Sequence, residues 1–100
     1  MNVSVDLCVI PLGVGLSLSK YIAECEKVLA NFDINCQLHA YGTNIEGEWD
    51  TVFAAIKKCH EHLHKIGVVR IHTSIKCGTR TDKIQKLDDK ITSVKKLLNN

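Results

Sequence analysis

Apolar residues recur along this chain with two alternating periods, and the switches between them predict its elements. Residues 3–10 alternate. Val3, Val5, Leu7 and Val9 share one face, while Ser4, Asp6, Cys8 and Ile10 share the other. That pattern predicts a strand with one apolar face, ended by Pro11-Leu12-Gly13. A loop over 13–19 follows, in which Ser17 or Ser19 is expected to N-cap a helix. Leu18, Ile22, Cys25, Leu29 and Phe32 then fall on one helical stripe. Residues 34–41 predict a second strand with Ile34, Cys36, Leu38 and Ala40 inward. Gly42-Thr43-Asn44 reads as a turn, and Ile45-Glu46 as a short third strand. A second helix carries Val52, Ile56, Cys59, Leu63 and Ile66, with Gly67 as its expected C-cap. Val69, Ile71, Thr73, Ile75 and Cys77 predict one face of a fourth strand. Ile84, Leu87, Ile91, Val94 and Leu98 predict a last helix.

The order β-α-β-β-α-β, then α, predicts one α+β domain over residues 1–100: a ferredoxin-like sandwich with an additional C-terminal helix. Two helices with one apolar stripe each cover only one face of the sheet. The other face is left with Ser4, Asp6, Gln37, His39, Tyr41, Arg70, His72, Ser74 and Lys76. Such a face is expected to pair with a second subunit.

Composition narrows the function classes. The chain of 100 residues is 45% apolar and 24% charged, ordinary for a folded domain. Its net charge of +2 gives no footprint for a nucleic-acid partner. No apolar run approaches the roughly 18 residues of a membrane span. The N-terminus lacks a basic region ahead of its apolar stretch, which Asp6 and Pro11 interrupt, so no signal peptide is expected. Five cysteines, an odd number without a C-x-x-C, predict reduced thiols and a cytoplasmic protein. Cys25 and Cys59 lie mid-stripe and are expected in the core; Cys8 is the candidate for exposure.

His60-Glu61-His62-Leu63-His64 satisfies H-E-x-x-H, whose histidines share a helix face. No further ligand follows, so a solvated helix end is expected rather than a metal site, and folding should not depend on zinc. Gly13-Val14-Gly15 lacks the third glycine of a phosphate loop. The stretch from Gly42 to Asp50 crowds two glycines, a hydroxyl, carboxylates and Trp49 at a strand–helix junction. Glu48 and Asp50 suit a helix N-terminus. Glu46 does not, and with Trp49 it suggests a pocket wall.

The segments Ile10-Pro11-Leu12-Gly13, Gly42-Thr43-Asn44-Ile45-Glu46-Gly47-Glu48-Trp49-Asp50, Lys57-Lys58-Cys59-His60-Glu61, Arg70-Ile71-His72-Thr73-Ser74-Ile75-Lys76 and Arg80-Thr81-Asp82-Lys83 resemble the small thiamine-binding-protein family. Its domain also occurs in tandem in thiamine/hydroxymethylpyrimidine-binding proteins. The resemblance spans essentially the whole chain and includes Ser17, Ser19, Tyr21 and Ile22. It implies a ferredoxin-like fold, subunits paired through their sheets as a dimer or dimer of dimers, and a pocket for thiamine or its pyrimidine precursor. It implies no catalysis and no cofactor besides that ligand. Two positions depart from the family pattern: Asp6 stands near a usual glutamate, and Cys77-Gly78-Thr79 replaces a more acidic stretch.

Thiamine carries a permanent cation and an aminopyrimidine, so its pocket needs a carboxylate, hydroxyls and an aromatic or apolar slab. Asp6 or Glu46 is expected to meet the cation or amino group. Ser17, Ser19 and Thr43 are expected to bond the ring nitrogens. Tyr41 or Trp49 would stack, and Arg70 would offset a buried carboxylate or hold a phosphate. The pocket is expected beside the first strand–helix loop and the 42–46 turn, with Ser17, Thr43 and Glu46 as principal contacts. Two rival readings are a small enzyme on a thiamine-pathway compound, with His39 or His72 as base beside Asp6, and an assembly protein without a ligand.

Overall fold

The structure is a computed structural model and describes residues 1–99. Within them the chain runs β1 (Asn2–Leu12), α1 (Ser19–Leu29), β2 (Asn35–His39), β3 (Gly42–Glu48), α2 (Trp49–Lys65), β4 (Arg70–Gly78) and α3 (Leu87–Leu98). The strands form one antiparallel sheet in the order β2-β3-β1-β4. This α+β arrangement is ferredoxin-like, as the element order predicts. The period-2 face of β1 fills the core. Val3, Val5, Leu7 and Val9 are at most 5% exposed. They pack with Cys25 and Leu29 of α1 and with Val52, Cys59 and Leu63 of α2.

The β2–β3 hairpin differs from expectation. Gly42-Thr43-Asn44 is not a turn; it opens a seven-residue β3, and Ala40-Tyr41 make the turn. Gly42 marks close approach instead. A Cβ there would lie 2.5 Å from the Leu7 carbonyl oxygen, so the glycine lets two backbones meet. β2 lies at the sheet edge, and its expected inward residues Cys36 and Leu38 are exposed because α1 and α2 sit over the central strands.

Neither Ser17 nor Ser19 caps α1; Leu18 occupies the N-cap position without a side-chain bond. Gly67 does end α2. With φ of +104°, it lets its own N–H reach the His64 carbonyl and the Val68 N–H reach Leu63, a Schellman ending. That turn buries Val68 and leaves Val69, expected inward, 90% exposed. β4 accordingly starts at Arg70.

The last helix begins at Leu87, later than its apolar pattern suggests, and leaves Ile84 outside. It buries no residue: Ile91, Val94, Leu97 and Leu98 are all exposed. The radius of gyration, 15.1 Å, exceeds the roughly 13 Å of a compact chain this long. α3 is thus an arm whose apolar stripe is left uncovered by the described residues.

Candidate functional site

A cavity of about 610 Å³ opens between α1 and the β2–β3 hairpin, over β1. Leu7 and Val9 form its floor, Ile22 and Leu29 its α1 wall, and Leu38 and Tyr41 its hairpin wall. Its size falls within the range of small-molecule sites. The mouth is unusually apolar for a surface: Leu16, Leu38 and Tyr41 are 103%, 59% and 87% exposed.

Glu26 brings charge into this apolar space. It lies on α1, one residue after buried Cys25, which turns it to the cavity side of the stripe. Thr43, the one buried polar side chain among the described residues, donates its hydroxyl to Glu26 Oε1 at 3.3 Å. Thr43 can do so because it is the second residue of β3, opposite Leu7 on the helix-facing side of the sheet. Among the described residues no Lys, Arg or His forms an ion pair with Glu26, and no Lys or Arg lines the cavity. A half-buried carboxylate held by one hydroxyl is an acceptor suited to a cation or an amino group.

Of the polar residues singled out from the sequence as candidate contacts or bases, Ser19, His39, Tyr41 and Thr43 line this cavity. Ser17 lies in the exposed loop before α1 and is not part of its lining. Asp6 accepts from His39 Nε2 at 2.8 Å, and Tyr41 N–H donates to His39 Nδ1 at 3.3 Å. Both ring nitrogens of His39 are thereby engaged. Glu46 sits outside the cavity, on the opposite face of the sheet. Its carboxylate accepts the Leu87 N–H at 2.9 Å and so anchors the start of α3. Trp49 opens α2 and stacks on Phe53, ring centroids 4.7 Å apart. Arg70 is exposed at the start of β4, opposite Leu12. Glu26 was missed because its position between stripe residues on α1 reads as solvent-facing. The signal that would have found it is the pairing of Thr43 with Leu7, which needs the sheet register.

A second, smaller cleft of about 210 Å³ lies by the start of α3. Arg80, one of its lining residues, is already committed to Asp82 and Gln85, each at 2.6 Å. The Arg80 guanidinium holds the Asp82 carboxyl down at about 2.

The histidines of the H-E-x-x-H segment go to separate structural partners. His60 Nε2 meets Thr73 Oγ1 of β4 at 2.6 Å, His62 Nε2 meets Glu24 of α1 at 2.8 Å, and His64 donates Nδ1–H to the Val68 carbonyl at 2.8 Å. The helix end is therefore tied to both neighbours rather than merely solvated. Among the described residues no three His, Cys, Asp or Glu side chains are grouped to hold a metal ion. No described helix is long and apolar enough to cross a membrane.

The chain matches the family model described as thiamine-binding protein over residues 5–95. It is 57% identical to a UPF0045 protein of Synechocystis, over all of this chain and 83% of that one. A UPF0045 protein of Eremothecium gossypii is 42% identical over 98% of this chain and 94% of its own. The crystal structure of MJ1052 from Methanocaldococcus jannaschii superposes with a TM-score of 0.87 at 31% identity, covering 94% of this chain and 96% of that one. A Bacillus cereus domain of unknown function shares the fold at 21% identity, with a TM-score of 0.80, covering 91% of this chain and 88% of its own. Sequence and fold agree, and the chain belongs to the thiamine-binding protein family.

Proposed function

We propose that this protein binds thiamine or its aminopyrimidine precursor, without turnover, in the cavity between α1 and the β2–β3 hairpin, and does so as a homo-oligomer. The observation that carries the reading is Glu26: a carboxylate held by buried Thr43, without an ion-pair partner among the described residues, in a chamber whose floor and α1 wall are apolar. An aminopyrimidine or thiazolium supplies the missing positive edge or charge, and the apolar walls supply the slab for its rings. The family match supports the ligand class. The lack of a lysine or arginine in the lining favours the unphosphorylated form over thiamine phosphates.

The non-catalytic reading is supported by His39, one of the two candidate bases beside Asp6, whose two ring nitrogens are both engaged. The oligomer is supported by two surfaces left uncovered by this chain. One is the sheet face carrying Arg70, His72, Ser74 and Lys76; the other is the apolar stripe of α3. Native mass spectrometry of protein purified without added ligand tests both parts together. The expected spectrum shows a dimer or tetramer carrying a small molecule of thiamine or pyrimidine mass. A monomer, or an oligomer that stays empty when thiamine is added, contradicts the reading.

A further inference from the structure

The cleft at the base of α3 has the opposite chemistry to the chamber. Arg80, Lys86 and Lys90 line it, together with the amides of Asn2 and Asn35 and the hydroxyl of Thr79. Arg80 is balanced by Asp82. Lys86 and Lys90 have no ion-pair partner among the described residues. They lie four residues apart at the start of one helix, a spacing at which like charges repel. Glu46 is the one carboxylate in the lining, and it accepts the Leu87 N–H. Asp89 takes the Lys86 N–H, and Asp88 lines the hollow beside Cys36 and Gln37 instead. Those two main-chain donors are therefore spent, and the positive charge of the cleft comes from side chains. Lys83 and Lys76 extend that charge. Each lines a hollow adjoining the cleft, the first sharing Arg80 with it and the second sharing Lys90. Neither is ion-paired among the described residues.

We propose that this cleft binds a phosphate dianion, either free or as the monoester end of a small polar molecule. Lys86 and Lys90 meet it as two point charges, and the dianion between them relieves their repulsion. Asn2, Asn35 and Thr79 donate to its remaining oxygens. The volume of about 210 Å³ is below the roughly 300 Å³ at which sites for drug-sized molecules begin. The cleft therefore takes a head group rather than a whole cofactor. It lies at the Gly78 end of β4, opposite Ser4, whereas Arg70 and His72 of the open face stand at the other end, opposite Leu12 and Ile10. It shares no lining residue with the Glu26 chamber. Its occupancy is thus independent of what the chamber takes.

Calorimetric titration of the full chain with inorganic phosphate and with glycerol 1-phosphate tests this, at constant ionic strength balanced with sodium chloride so that general screening is held fixed. The expected result is saturable binding of at least one probe with a Kd below about 1 mM. Affinity should fall at least tenfold in Lys86→Gln/Lys90→Gln, which keeps both main-chain hydrogen bonds at the start of α3. Lys90 is exposed, and the single change Lys90→Glu should abolish binding while leaving the circular dichroism spectrum intact. Glu26→Gln should bind the probes as the wild type does. Equal or tighter binding of inorganic phosphate identifies the free anion as the ligand, and tighter binding of glycerol 1-phosphate identifies a monoester. No saturable binding of either probe in that range overturns the proposal. So does a loss of less than tenfold in the double variant, retained binding by Lys90→Glu, or a tenfold loss in Glu26→Gln.

Discussion

Two glutamates near the same hairpin have opposite uses. Glu26 points into the chamber with only Thr43 to hold it, whereas Glu46 accepts a backbone N–H across the sheet. Glu46→Gln should therefore leave ligand affinity unchanged and speed amide exchange at Leu87 several-fold, measured by hydrogen exchange. A second residue-level effect concerns His60. Desolvation first, and the neighbouring His64 second, hold its pKa below 6.5. The folded state thus binds this proton more weakly than the unfolded chain. Stability should be full above about pH 6.5 and fall as pH drops from there toward the lower folded value. Urea midpoints at about pH 7.5 and about pH 5.5 should show that loss, and His60→Gln should flatten it.

At the scale of elements, periodicity reads well wherever one chain supplies both partners. The alternation of β1 and the stripes of α1 and α2 are the core of the molecule, and Gly67 ends α2 as its sequence suggests. Gly67→Ala would place a Cβ at φ of +104° and should cost about 1–2 kcal/mol by chemical denaturation. Local signals failed where a distant strand decides. Gly42 looks like a turn residue because glycine serves both turns and close contacts; only the Leu7 carbonyl above it settles which. The chamber was legible in part. Ser19, Tyr41 and Thr43 were readable from the hairpin and the loop, while Glu26 required knowing which residues face each other across the sheet. The family resemblance supplied the ligand class, which periodicity could not. α3 follows a clean apolar pattern yet has no buried residue, so the pattern predicts the helix but not what it packs on. Removing residues 87–98 should leave the domain folded and, by sedimentation, weaken the proposed self-association, with any remaining assembly held by the open sheet face.

The whole molecule is a two-layer domain with one sheet face covered, one face open, an arm, and a chamber at the hairpin edge. The open face and arm are the surfaces proposed for self-association, and the chamber is the surface proposed for a ligand. The chamber lies on the covered side, between α1 and the hairpin, and Arg70, His72, Ser74 and Lys76 of the open face are not part of its lining. The claim that joins these parts is that Glu26 recognises a cationic or amino-bearing ring. Its most direct test is calorimetric titration of thiamine into wild-type protein and into Glu26→Gln. The account predicts saturable binding by the wild type and a loss of roughly 1.5–3 kcal/mol in the variant, the range for a charge-assisted contact. Equal affinities, or no binding of thiamine or its pyrimidine precursor by the wild type, would contradict it.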